Sequence, residues 1–181
     1  MSITLNCRIN YLIDSEDHKY LPWQFYNLYN FVSIPLIDKR PFIKEWNKKT
    51  KTVHSTYTNQ NIGILCGKVN NITVLDLDGI EAVSVFKELC EKNNCKEIKT
   101  PTVITPNKGL HLYFKYTEDL KSSLRLKGVN GKLAWDVKNN GMVVAPPSWL
   151  IKNGKMVKYK WMKNKPLNDL EIKSMPLKKP Y

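Results

Sequence analysis

The sequence predicts an α+β fold, a mostly antiparallel sheet with a helix packed on it. Three observations carry that expectation. Short, β-branched apolar runs bounded by Gly, Pro or Asn recur along the chain, as strands do. One amphipathic stretch, Ile80 to Asn93, is long enough for a packed helix and carries Val83, Phe86, Leu89 and Cys90 on one stripe. The order of strands, helix and then several strands suits antiparallel pairing better than regular βαβ alternation. A chain of 181 residues is long enough for one well-buried core, with room for two lobes.

Residues 1–30 are rich in aromatics, and Pro22 takes an N1-like position for a short helix that runs to Tyr29. Phe31 to Ile37 reads as a strand, and Asp38 to Phe42 as a basic loop. Residues 46–60 are polar and irregular or weakly helical. Asn61 to Gly67 and Ile72 to Asp78 are strands joined by the tight Lys68–Asn71 connection, so the two read as a hairpin. Beyond the helix, Thr102–Thr105, Leu110–Tyr116, Leu133–Val137 and Met142–Ala145 are strand-like. Pro146 and Pro147 end the last of these, and Lys158–Trp161 forms one more. There are no internal repeats. Residues 166–181 form a basic, Pro- and Lys-rich tail or linker after an ordered unit over 1–165.

Composition narrows the function classes. Hydrophobic content of 42% and five tryptophans exclude a disordered chain. No apolar stretch approaches a membrane span, and the N-terminus lacks the pattern of a secretory signal, so the expectation is an intracellular protein with no membrane partner. Cys7, Cys66, Cys90 and Cys95 form no C-x-x-C pair and lie near no histidine cluster, which argues against structural zinc and against a disulfide framework. The net charge is +13, from 29 basic and 16 acidic residues, and the arginines are only Arg8, Arg40 and Arg125. A lysine-dominated excess points to a polyanionic partner, contacted at phosphates more than at base edges. An AT-rich genome would also enrich Lys, Asn and Ile.

The chemistry begins at Asp76 and Asp78, at the end of the run Ile72–Leu77. Side chains at i and i+2 of a strand share a face, so both carboxylates point the same way. Adjacent acids repel unless something positive sits between them, and a divalent cation with oxygen ligands, magnesium or manganese, answers that need. The Asp78-Gly79 dipeptide equally fits an exposed strand-end turn, and the pair alone does not choose. Alternation in Leu110–Phe114 puts His111 and Tyr113 opposite Leu110, Leu112 and Phe114. His111 follows the loop Thr105–Gly109, whose Lys108 and Gly109 suit a phosphate contact. In Ala134–Val137 the same pattern turns Asp136 away from the core, beside Ala134 and Lys138. Three carboxylates and a histidine at polar-facing strand positions are the inventory of two-metal phosphoryl transfer, which is mostly positioning and charge neutralisation.

The blocks Asn61–Gly67, Leu75-Asp-Leu-Asp-Gly79, Lys108-Gly-Leu-His-Leu-Tyr-Phe114, Trp135-Asp-Val-Lys138 and Val143–Ser148 resemble the motifs of the archaeo-eukaryotic primase superfamily. The closest likeness is to the primase-polymerase (prim-pol) domains of plasmid and viral replication proteins. Pro35–Ile43 resembles that family's upstream segment, and the likeness runs from about residue 20 to about residue 165. The resemblance implies an RRM-like catalytic sheet with a smaller α/β lobe, which makes 1–165 the catalytic domain. It implies that Asp76, Asp78 and Asp136 are the acidic triad holding Mg2+ or Mn2+. It also implies that His111 binds the incoming nucleotide's phosphates, helped by Lys108, Gly109, Lys138 and Arg40 or Arg125. Many relatives carry serine where this chain has Gly109. No cysteine or histidine cluster supports the zinc element of some primases.

The resulting expectation is a template-directed nucleotidyltransferase that makes or extends primers on single-stranded DNA from NTPs or dNTPs. The resemblance further implies a plasmid or viral origin and a fused or associated replication helicase. Two readings of other classes use overlapping features. A non-catalytic module would bind single-stranded nucleic acid by stacking bases on Tyr113, Tyr116 and Trp161. A two-metal nuclease would use the same acids without needing a nucleoside triphosphate.

Overall fold

In the computed structural model, which describes residues 21–54, 61–95, 98–120, 126–127 and 133–165, the predicted α+β architecture holds. Helix α1, Pro22–Leu28, opens on a proline at a position that needs no N–H, and Gln24 Oε1 accepts from the Leu21 N–H at 2.8 Å. It packs on an antiparallel sheet of β1 (Ser33–Ile37), β2 (Arg40–Pro41), β3 (Asn61–Leu65) and β9 (Met142–Ala145), in the order β2-β1-β3-β9. The basic segment expected as a loop is in fact a tight return. Asp38 adopts a positive φ of 52°, and Arg40 and Pro41 then pair with Ile37 and Leu36. Trp46–Lys48 make a single 3₁₀ turn, and residues 55–60 lie outside the described residues.

The larger sheet contains β4 (Ile72–Leu77), β5 (Thr102–Ile104), β6 (Leu110–Lys115), β7 (Leu126–Lys127), β8 (Leu133–Lys138) and β12 (Lys160–Trp161). Its order is β12-β5-β6-β4-β8-β7, antiparallel throughout, with β4 at its centre. Helix α2, Gly79–Lys92, follows β4 and covers one face. Leu75, Leu77, Leu112, Phe114, Trp135 and Val137 pack there against Ala82 and Phe86. The helix stripe differs from expectation at Leu89, which is 38% exposed, while Ala82 is buried in the seam. The other face, with Ile72, Val74, Val103 and Tyr113, shares a core with the four-stranded sheet. Both faces of β4 are therefore dry from Ile72 to Leu75, which explains its apolar run.

The expected β3–β4 hairpin is not formed. The turn at Lys68–Asn71 is present and closes through Gly67 N–H to Ile72 O at 2.7 Å, but pairing stops at that bridge. The strands then diverge, β3 to β1 and β9, β4 to β6 and β8. Asn70 makes the divergence tolerable. Its buried amide donates to Val32 O at 2.9 Å and Leu65 O at 2.8 Å, and its Oδ1 accepts from the Val32 N–H at 2.7 Å. Backbone groups left unpaired inside a core carry a large desolvation cost, so this side chain replaces a missing strand. Asn70→Ala is expected to lower stability by about 2 kcal/mol, read as a lower urea midpoint at unchanged slope.

Three strands stand where one was expected over Lys158–Trp161. Strands β10 (Trp149–Lys152) and β11 (Lys155–Lys158) form a separate two-stranded hairpin before β12. Its turn is Asn153-Gly154, with φ of 49° and 71°, the pairing favoured for a two-residue hairpin loop. Among the described residues no helix is long and apolar enough to cross a membrane.

Candidate active site

Even-numbered residues of β4 face the four-stranded sheet, and exposure rises along that face. Ile72 and Val74 are 0% exposed, the Asp76 side chain is 20% exposed, and Asp78 beyond the strand end is exposed. The gap between the sheets thus opens at the end that carries the acids. Strand register puts Asp76 opposite His111 on β6 and opposite Asp136 on β8. Directly opposed residues have Cβ atoms about 5 Å apart, so the three side chains form one row across three strands. The alternation read from sequence identifies this face correctly. What it meets differs from expectation, because His111 is 5% exposed and Asp136 is 6% exposed. The face is the wall of a cleft and not an open polar surface.

Within the row, His111 Nε2 lies 3.4 Å from Asp76 Oδ1, and Lys138 Nζ donates to Asp136 Oδ2. Burial pushes the Asp76 carboxyl up, but the hydrogen bond and charge of His111, with Lys138 and Lys39, bring it below its ordinary value. Asp78 moves the other way. Burial and the charge of Asp76 raise it, and Lys39, His111 and Lys138 offset only part of that. Two neighbouring carboxylates driven apart in this way share one electrostatic site.

Asp78 is the residue before helix α2, yet its side chain makes no capping hydrogen bond. An aspartate here usually accepts from the helix's first free N–H groups. The Asp136 Oδ1 atom is buried without a hydrogen-bond partner, as is His111 Nδ1. Among the described residues no three His, Cys, Asp or Glu side chains converge as a ready-made cation site. The pairing explains this, since Asp76 leans on His111 and Asp136 on Lys138. The donor set nonetheless fits a hard divalent cation, being carboxylate oxygen with one buried oxygen unpartnered and one carboxylate uncommitted to its helix.

A family model described as bifunctional DNA primase/polymerase, N-terminal, matches residues 25–177. The chain belongs to that family. No curated protein matches it. Membership supports a DNA primase/polymerase function in general terms, with DNA and nucleotides as substrates.

In this primase/polymerase domain the remaining expected site residues are placed unequally. Lys138 joins the acid row directly. Arg40 and Lys108 are exposed, and neither is among the charges that move Asp76 or Asp78. Arg125 lies outside the described residues. The Thr105–Gly109 turn uses its own amides: Lys108 N–H donates to Thr105 O at 2.9 Å, and Gly109 N–H to Thr105 Oγ1 at 3.1 Å. Those two N–H groups are therefore engaged inside the turn, contrary to the expectation that they meet phosphate. Gly109 has another role. A Cβ there would lie 2.1 Å from Leu77 O and 2.7 Å from Gly79 N, so glycine lets this turn rest on the backbone that flanks Asp78.

Two residues at the site escape the sequence reading. Lys39, in the β1–β2 turn, acts on both Asp76 and Asp78 across the cleft. The sequence shows Lys39 and Arg40 side by side but not which of them projects toward the acids. Tyr159, after β11, has its ring centroid 5.9 Å from that of His111, and burial with the Asp76 and Asp78 charges pushes its hydroxyl up. Tyr113 and Trp161, candidates for base stacking, are 0% and 8% exposed and pack on each other at 5.4 Å. Both are core residues and offer no face to a base, whereas Tyr116, the third candidate, is half-buried.

Proposed function

We propose that this domain is a divalent-metal-dependent, template-directed nucleotidyltransferase that makes or extends primers on single-stranded DNA. The single observation that carries the reading is the in-register row His111–Asp76–Asp136 at the open end of the inter-sheet cleft, with Asp78 beside it. Asp76, Asp78 and Asp136 would hold Mg2+ or Mn2+. When bound, such cations supply charge neutralisation at the triphosphate and activate the attacking 3′-hydroxyl.

The chain's own groups do the rest. Asp76 holds His111 through Nε2, which fixes the imidazole in the row. Lys39 and Lys138 bring positive charge to the acids from opposite walls, where a triphosphate needs it. Lys108 and Arg40, exposed at the rim, are left for outer phosphate contacts. The buried faces of β4, β6 and β8 limit water in the cleft, which strengthens each of these interactions. Residues 1–165 serve as the catalytic domain in this reading, and 166–181 as a tail.

A dNTP supplied with Mg2+ is expected to raise the melting temperature by about 5–10 °C at a hundredfold excess over its dissociation constant. EDTA should cancel the shift. A two-metal nuclease has no use for the triphosphate, so no dNTP-dependent shift, together with DNA cleavage in Mg2+, would replace this reading with the nuclease. A primer assay on single-stranded template, run with NTPs and with dNTPs, tests the reaction itself.

A further inference from the structure

Residues 149–165 contain Lys152, Lys155, Lys158, Lys160, Lys163 and Lys165 and no acidic residue. Their first part is the β10–β11 hairpin. Leu150 is buried in the core, so that face of the hairpin is held against the body of the domain. The opposite face is not. Ile151 and Met156 are cross-strand partners on it, 60% and 55% exposed, with Trp149 and Lys158 as the next pair. Lys158 shares this face, whereas Lys152 and Lys155 alternate to the Leu150 side and flank the turn at the hairpin's tip. Two adjacent exposed apolar side chains, a half-buried tryptophan and a lysine-only rim make a surface of one chemical kind. Apolar and aromatic groups meet bases, and lysines track phosphates without reading sequence.

The hairpin is rooted at the lip of the cleft. At its base Tyr159 stands beside His111, and Tyr159 N–H donates to Ser148 O at 2.8 Å. On its other side the Asn61 amide donates to Trp149 O at 2.8 Å and to Asp38 O at 2.9 Å. One side chain thus ties the hairpin to the β1–β2 turn that carries Lys39. The base of the hairpin therefore stands next to the acid row. We infer that the β10–β11 hairpin is a docking surface for single-stranded DNA, with Ile151, Met156 and Trp149 under the bases and Lys152, Lys155 and Lys158 at the phosphates. As a route to the active site the inference rests on the function proposed above.

The test is binding of a fluorescein-labelled oligo-dT to the full chain, followed by anisotropy over a range of salt. The triple variant Lys152→Ala, Lys155→Ala, Lys158→Ala is expected to bind about tenfold or more weakly at about 0.1 M salt. Its salt slope should fall by about 2, the value for three lost single-strand phosphate contacts. Ile151→Ser with Met156→Ser should weaken binding at an unchanged slope. Removing the same charge from α2 and the segment after it, with Lys87→Ala, Lys92→Ala, Lys99→Ala, should leave both readings near wild type. Equal losses in the two lysine triples would show diffuse electrostatic binding and overturn the inference. So would unchanged oligo-dT binding by the hairpin variants. If, instead, those variants turn a sedimenting dimer into a monomer and still bind oligo-dT, the face joins two copies of the chain. The dNTP-dependent melting shift, measured on the hairpin triple, separates the two ideas. A retained shift with weakened DNA binding supports the hairpin role, whereas no shift even in the wild type brings down the proposed function.

Discussion

Asp76→Ala combined with Asp78→Ala is expected to abolish nucleotide incorporation, by about a thousandfold or more, while the fold stays intact. The magnitude follows from losing preorganised charge in a cleft that limits water, where one such group is worth roughly a hundred- to a thousandfold. The intact fold follows from the opposed shifts of the two acids. Asp76 lies below its ordinary value in the folded chain, so its charge stabilises the fold above the unfolded-state value, and that stability is lost as pH falls. Asp78 is raised, so its ionisation costs stability at neutral pH. Removing both takes away one stabilising and one destabilising ionisation. Asp78 stands at the helix N-cap without a side-chain capping hydrogen bond, and neither acid is part of either apolar cluster. The measurement is template-directed incorporation with Mg2+ or Mn2+, alongside circular dichroism and a melting curve. Undiminished synthesis by a folded double variant would remove these acids from the chemistry. A variant that fails to melt cooperatively would show instead that the pair is structural.

The juxtaposition of the candidate site residues was legible because the signals that place them are local. Period-two alternation puts Asp76, His111 and Asp136 on the face opposite the α2 seam, and strand register brings them together. Alternation cannot say what a face meets. An outward polar face and the wall of an inter-sheet cleft have the same pattern, so the burial of His111 and Asp136 was not readable. The β3–β4 error has a related cause. A tight turn between two apolar strands is a hairpin signal, but β1, β9, β6 and β8 compete for the same edges and win. Asn70 is the trace of that outcome, a buried amide serving three backbone groups. In the sequence it is one Asn of a turn. Pro146-Pro147 correctly ends β9, and the β10–β11 hairpin beyond it was within reach, since Asn153-Gly154 is a strong hairpin dipeptide. Lys39 was not within reach, because the direction of a turn side chain is set by the strand pairing around it.

Gly109→Ser is expected to damage both stability and activity, even though it installs the residue that the resemblance places at this position. The Cβ would come within 2.1 Å of Leu77 O and 2.7 Å of Gly79 N, and both are backbone atoms in the connection from β4 to α2. A flexible side chain can yield to such a contact at small cost. Gly63 illustrates this, because its Cβ would meet Met142 Sδ at 2.8 Å, a soft and mobile neighbour. Backbone inside paired structure cannot yield without moving the strand end or the helix start. The expected loss for Gly109→Ser is therefore about 3 kcal/mol or more, at the upper end of overpacking costs, against about 1 kcal/mol for Gly63→Ala. In melting temperature the first corresponds to a fall of about 6–12 °C for a chain of this size. Activity should fall beyond what unfolding explains, since the atoms displaced flank Asp78. Incorporation measured well below the melting temperature, where the variant is fully folded, checks this. A Gly109→Ser protein that melts like the wild type would mean that the β5–β6 turn does not rest on the Asp78 backbone.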